Sequence, residues 1–208
     1  EWGGSGRPPG PSTPLILLLC ALLPFLAGWE HRLTPEPRLR EVTSRVVIHA
    51  PIERVWETVI AFPKITAPPT GVFALGVAYP IEASIQGAHG PGALRYCTFS
   101  TGSFVEPITH WEAPTLLAFS VTENPPPMHE VSIYPDLHPP HFDGFMKSER
   151  GQFRLSRQPD GTTLVEGTTW YTHDLAPQAY WGPISDHIIH EIHGRVLNHI
   201  KATAEAGK

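Results

Sequence analysis

Cysteine is nearly absent from this chain of 208 residues. Cys20 sits in an apolar run and Cys97 in a strand-like stretch, which excludes a disulfide framework. Charge is also sparse. A net charge of -5 and a pI of about 6.2 leave no basic field for phosphate backbones, and neither a Lys/Arg cluster nor a zinc-finger spacing appears, so nucleic acid is not an expected partner. No nucleophile elbow, phosphate loop, dinucleotide fingerprint or His-Glu-x-x-His zinc motif is present, so no enzyme class announces itself by motif. Proline is the excess, with 24 residues scattered as turn punctuation and short runs, which describes a globular chain with stiffened loops.

Continuous apolarity occurs once, at Leu15–Ala27 (LILLLCALLPFLA). As a helix this run spans about 20 Å against a hydrocarbon core of about 30 Å. It competes as a secretory signal core, a transmembrane remnant or a packed element of the fold. Its all-round apolarity, with Trp29 at its edge and Arg32, Arg38 and Arg40 beyond, favours the membrane readings and a membrane-associated or exported protein. The Gly, Pro and Ser rich residues before it begin with Glu1 and not Met, which suggests a processed or truncated beginning outside the fold. Residues 1–42 are thus expected to be an anchor or signal remnant plus linker, and 43–208 a soluble domain that folds alone.

That domain is organised around its last stretch, Pro177 to Glu205. At about 100° per residue, Ile188, Ile192, Val196 and Ile200 share one face with Ile189 at its edge, which predicts one long amphipathic helix. Asp186, His190 and His193 project within about 60° of each other beside that stripe. Upstream, Thr43 to His49 predicts a strand, and IERVWETVIAF after Pro51 a short helix. Val72 to Ile85 reads as one bent strand or two short ones. Ala93 to Phe104 alternates in two sets, Leu94, Tyr96, Thr98 against Arg95, Cys97, Phe99, and periodicity alone leaves open which set faces inward. Strands follow at Glu106–Trp111, Leu116–Thr122, Gly151–Ser156 and Thr163–Tyr171, the last two joined as a hairpin by the turn Gln158-Pro159-Asp160-Gly161. Strands ending in a long helix predict an α+β domain whose curved antiparallel sheet of about six to seven strands grips that helix. Residues 123–148 form a Pro- and His-rich insertion, too long for a hairpin turn.

The strand RVVIHAP, the helix IERVWETVIAFPKI and the terminal helix resemble the START-like superfamily called SRPBCC, which includes polyketide cyclase/dehydrase-like proteins, over about residues 43–206. YCTFSTGSFVEPI, LHPPHFDGF, EGTTWY and YWGPISDHIIHEIHGRVLNHIK look like a bacterial subgroup that brings no substrate with it. The resemblance implies a helix-grip fold enclosing a deep apolar cavity for a hydrophobic small molecule such as a lipid, polyketide or aromatic. One branch of the superfamily holds iron with Asp-x-x-His-x-x-x-x-His. Here Asp186-x-x-x-His190-x-x-His193 has the residue types without the spacing, so neither a metal nor another cofactor is expected.

Candidate ligand-binding residues are Arg95, Cys97, Glu106 and Glu166 on strands, and Trp170, Tyr180 and Trp181, with Tyr171 beside them, as an aromatic rim. Asp186, His190 and His193 on the helix complete the set, with His141 brought to them if the insertion folds back as a lid. The favoured function is binding or transfer of the hydrophobic molecule. The alternative is a cyclase/dehydratase-like or metal-dependent enzyme using the His/Asp cluster.

Overall fold

The computed structural model describes residues 13–33, 36–129 and 144–206. The first element, α1 (Thr13–Leu33), is an apolar helix that runs on past Gly28 through Trp29 and the first charges, where the sequence suggested a polar linker. The folded body begins at β1 (Arg40–Ile48), slightly ahead of Thr43. Next comes α2 (Ile52–Ile60), with Pro51 at the N-cap, one position earlier than a first-turn proline would sit. Its repeat of Ile52, Val55, Trp56 and Val59 becomes a buried face, as amphipathic spacing requires.

Six strands follow: β2 (Pro80–Gln86), β3 (Leu94–Phe99), β4 (Gly102–Glu112), β5 (Leu116–Ser120), β6 (Met146–Arg157) and β7 (Thr163–His173). The chain ends in α3 (Gln178–Ala206). All pairings are antiparallel, in the order β1-β7-β6-β5-β4-β3-β2, giving an α+β helix-grip fold of seven strands and one long helix.

Two strand expectations need correction. Gly71–Leu75 is a 3-10 turn, not a strand, closed by Gly76 at φ 95°, a left-handed conformation that favours glycine. The alternating run from Ala93 to Phe104 is broken at Ser100–Thr101 into two strands, and Glu106–Trp111 continues the second of them. Gly102, at φ 147°, lets the chain reverse there. Period-two alternation survives across a tight turn, so it marks strand character without marking strand ends.

The helix is held at both free edges of the sheet. Arg195 Nε donates to the Pro80 carbonyl of β2 at 3.0 Å, and Lys201 Nζ donates to the Val47 carbonyl of β1 at 2.9 Å. Edge strands present unpaired carbonyls, and these two cations satisfy one at each side. The C-terminal half of α3 supplies Val196, Leu197, Ile200 and Ala204 to a core shared with α2 and the inner sheet face. Trp56 and Trp111 meet edge to face at 5.5 Å in that core. Ile188 and Ile192, nearer the helix start, are only half-buried, because the space beside them is not filled.

Candidate functional site

That space is a cavity of about 120 Å³ between α3 and the inner faces of β3 to β7. Its walls are mostly apolar: Phe99, Phe104, Phe119, Phe153, Ile188 and Ile192. Two glycines let the strands come this close. A Cβ on Gly151 would stand 2.6 Å from the Phe119 ring, and one on Gly167 would touch Phe153 at 3.5 Å. Glycine inside a strand of branched residues is a sequence sign of such close approach, and reading β7 for it would have marked Gly167 as a wall position.

At one pole lies a buried ion pair. On β3 the set Arg95, Cys97, Phe99 faces inward, which settles the alternation that periodicity left open. Arg95 stands opposite Glu106 of β4, and its Nη1 donates to Glu106 Oε2. Its Nε donates to the Ile60 carbonyl at 3.1 Å, so the guanidinium also satisfies a C-terminal carbonyl of α2. The rings of Phe62, Phe119 and Phe153 surround it at 5.9, 5.5 and 5.6 Å from their centroids. Burial pushes the Glu106 carboxyl up while Arg95 pulls it back, and Arg95 is held above its already high range by Glu106 despite desolvation. Burial, with Glu106 adding to it, pushes the Cys97 thiol up to about 12, so Cys97 is a neutral wall group and not a nucleophile.

The other pole is His193. Its Nε2 lies 2.8 Å from Thr169 Oγ1 and its Nδ1 3.1 Å from Ser44 Oγ. Desolvation, with His190 adding to it, lowers its pKa to about 4, which leaves a neutral imidazole at neutral pH. Asp186 and His190 lie on the same side of α3 but against β1. Arg40 Nε and Tyr171 Oη donate to Asp186 Oδ1 at 3.0 and 2.7 Å, and the Arg40 hydrogen bond, ahead of that from Tyr171, holds its carboxyl below the usual range. A Cβ on Gly182 would lie 2.6 Å from Arg40 Nη1, so glycine lets the guanidinium take this position without shifting.

The other candidates lie elsewhere. Glu166 and Trp170 are on the outer face of β7: Glu166 pairs with Arg45, while Trp170 donates to Glu41 at 2.9 Å and stacks under Arg150 at 4.5 Å. Tyr180 and Trp181, edge to face at 5.1 Å, stand in the first turn of α3 away from the cavity wall, with Tyr180 exposed. His141 and the rest of 130–143 are outside the described residues; of the insertion expected as a lid, the described flanks place Asn124, Pro125, Pro127 and Met146 on the cavity lining. Among the described residues no three His, Cys, Asp or Glu side chains converge as metal ligands would. Ser44, Thr169 and Arg40 escaped the sequence reading, because hydroxyls and single charges on strands carry no spacing signal, and Tyr171, expected in the aromatic rim, is instead buried with its hydroxyl on Asp186.

An antiparallel sheet curled round a long helix with a cavity between them defines the helix-grip class. Comparison with solved structures places the fold more closely. The Zhui aromatase/cyclase from Streptomyces sp. R1128 superposes with a TM-score of 0.52 at 12% identity, over 81% of this chain and 94% of that one. A protein from Nitrosospira multiformis aligns with a TM-score of 0.46 at 18% identity, over 79% and 96%. The Aha1 dimer from Colwellia psychrerythraea does so with 0.46 at 14%, over 81% and 98%. No family model and no curated protein matches the chain. The chain thus shares the helix-grip fold of that aromatase/cyclase, as the resemblance in its sequence led one to expect.

Two outcomes are expected from the poles. Arg95→Met alone should cost about 3–5 kcal/mol in urea unfolding, since it strands a buried carboxylate, whereas Arg95→Met with Glu106→Leu should recover most of that loss. A double variant as unstable as the single one would show that the Ile60 contact, not the charge, dominates. For His193, the unfolded imidazole protonates near pH 6.5 and the folded one near 4, so the unfolded state binds the extra proton between them. Stability from this group is complete above about pH 6.5 and falls by about 3 kcal/mol toward pH 4. His193→Gln should flatten that part of the stability–pH curve.

Proposed function

We propose that this protein binds a hydrophobic small molecule in the cavity between sheet and α3. The observation that carries the reading is an apolar space left unfilled in an otherwise packed interior and flanked by two polar poles, the arrangement by which ligand sites hold and orient their occupants. Size narrows the ligand. An engineered apolar cavity of about 150 Å³ takes benzene, so a space of this order suits roughly one aromatic ring or a short branched chain. Dehydration or cyclisation of such a molecule is the second reading, and the neutral imidazole of His193 on the cavity wall favours it. Titration with benzene, cresols and short-chain acids should raise the melting temperature for at least one probe, with about 2.7 kcal/mol of stabilisation at a hundredfold excess over Kd. Ile192→Phe, which puts a ring into the space, should abolish the shift. No response from any probe in the unmodified protein would remove the binding reading.

The reading extends to location: α1 holds the domain to a membrane. Ile16–Leu33 has a mean hydropathy of 1.4 over 18 residues, and the 21 residues of α1 reach about 31 Å, close to a hydrocarbon core of about 30 Å. Residues 34–39 then span at most about 20 Å to β1, whose start pairs with the end of β7, beside the start of α3. A full-length chain should stay with membranes through a high-salt wash. Replacing Leu18 and Leu22 by Arg, each about 2.5–3.5 kcal/mol against insertion, should move it to the supernatant. Release of the unmodified chain by salt would mean that α1 is no anchor.

A further inference from the structure

The hydrogen bonds around His193 do not stop at the cavity wall. Ser44 Oγ, 3.1 Å from His193 Nδ1, is also 2.7 Å from His190 Nδ1, and His190 is exposed. On the inner side, His193 Nε2 lies 2.8 Å from Thr169 Oγ1, and both residues line the cavity. Four groups from α3, β1 and β7 thus form one unbroken row, imidazole, hydroxyl, imidazole, hydroxyl, from water to the cavity. Asp186, one turn earlier on the same side of the helix, is engaged by Arg40 and Tyr171 and stands outside this row.

Every member of the row can both donate and accept, so its bonds can be written in either direction. In one direction Thr169 O–H donates to His193 Nε2, His193 Nδ1–H to Ser44 Oγ, and Ser44 O–H to His190 Nδ1, leaving His190 Nε2–H facing solvent. In the other, His190 Nδ1–H donates to Ser44, Ser44 to His193 Nδ1, and His193 Nε2–H to Thr169, whose own proton then points into the cavity. Both arrangements contain the same number of protons and no charged group. Passing from the first to the second takes one proton from the cavity and releases one to water.

We propose that this row is a proton path between cavity and solvent, and that the bound ligand is a weak O–H acid, a phenol or an enol, that ionises and is reprotonated in place. The ligand half of this rests on the binding function proposed above; the path itself does not. The step balances as follows. The ligand O–H bond breaks and its electron pair stays on the ligand oxygen. Its proton goes to Thr169 Oγ1 as the Thr169 proton moves to His193 Nε2. The His193 Nδ1 proton passes to Ser44, the Ser44 proton to His190 Nδ1, and the His190 Nε2 proton leaves to water. The ligand anion is returned to the neutral acid by the same hops in reverse.

Ser44 touches no ligand and is a relay residue, so its replacement separates the path from binding. In full-length protein with ¹⁵N-labelled histidine in detergent micelles, exchange of the His193 ring proton with water should slow at least tenfold in Ser44→Ala. It should return to within twofold of the original in Ser44→Thr, which restores the hydroxyl. His190→Ala, on the exposed side, should slow it as Ser44→Ala does. Addition of 4-fluorophenol should give a bound ¹⁹F signal that exchanges between phenol and phenolate faster than the ligand dissociates, and Ser44→Ala should slow that exchange without changing affinity. Ring-proton exchange unchanged by Ser44→Ala and His190→Ala would overturn the path. Blocked exchange in Ser44→Ala with no bound 4-fluorophenol would uphold the path and overturn the phenol assignment.

Discussion

Arg95 is the residue on which the closed half of the grip depends. A guanidinium taken out of water costs several kcal/mol unless its charge and donors find partners, and here they come from two other elements: Glu106 of β4 and the terminal carbonyl of α2. The pair therefore fixes where α2 ends relative to the sheet and keeps β3 and β4 in register at that level. It also gathers aromatic rings. Phe62, Phe119 and Phe153 lie around the cation, and two of them are cavity walls, so the charge that pins the fold also shapes the empty space. The thiol of Cys97, next on the same face, is kept neutral by the same dry surroundings.

The helix is attached along two seams of different chemistry. Toward its C-terminus the inward contacts are apolar, through Val196, Leu197 and Ile200, with Arg195 and Lys201 bonding the sheet edges to either side. Along β1 polar links lead, Arg40 with Asp186 and Ser44 with His190 and His193, around the apolar contact of Val42 with Ile189. Apolar contacts are tolerant of sliding, whereas hydrogen-bonded pairs fix register. The polar seam therefore sets how far His193 stands along the cavity wall, and Gly182 allows Arg40 to close its first link.

Much of this was legible in the sequence where a period and a breaker coincide. The terminal helix shows as a 3.6-residue stripe from Ile188 to Ile200, and the β6–β7 hairpin as two strands around a Pro-Asp-Gly turn. Arg95 and Glu106 could be picked as residues whose chemistry exceeds what a sheet needs. Their inward direction could not, because a period of two is the same for both faces of a strand. Glu166 qualifies on the same grounds and Trp170 as an aromatic rim residue, yet their strand turns them outward to Arg45 and Arg150. The triplet Asp186, His190, His193 was visible as a helix side, but the hydroxyls that divide it into an ion pair and a hydrogen-bonded row come from β1 and β7, more than a hundred and about twenty residues away in sequence. Such partners are set by tertiary pairing alone.

The balance of apolar wall and polar poles bears on selectivity. In a hydrophobic pocket one methylene more or less is worth about 1–3 kcal/mol, so the phenylalanine walls sort ligands only coarsely by size. A buried group that expects a hydrogen bond discriminates more sharply, since a ligand without the matching atom leaves it unpaired in a dry site. Of the two poles, Arg95 already spends its strongest donors on Glu106 and Ile60, whereas the Thr169 hydroxyl, once donating or accepting toward His193, keeps a free position on the cavity side. In the proposed binding function discrimination would therefore rest on the His193–Thr169 pole, with the Arg95 pole contributing a fixed field. Under the proposed binding function, the feature that would decide which molecule fits is then a single hydroxyl on β7, oriented by an imidazole on α3, so that ligand choice and the docking of the terminal helix would be set by the same hydrogen bonds.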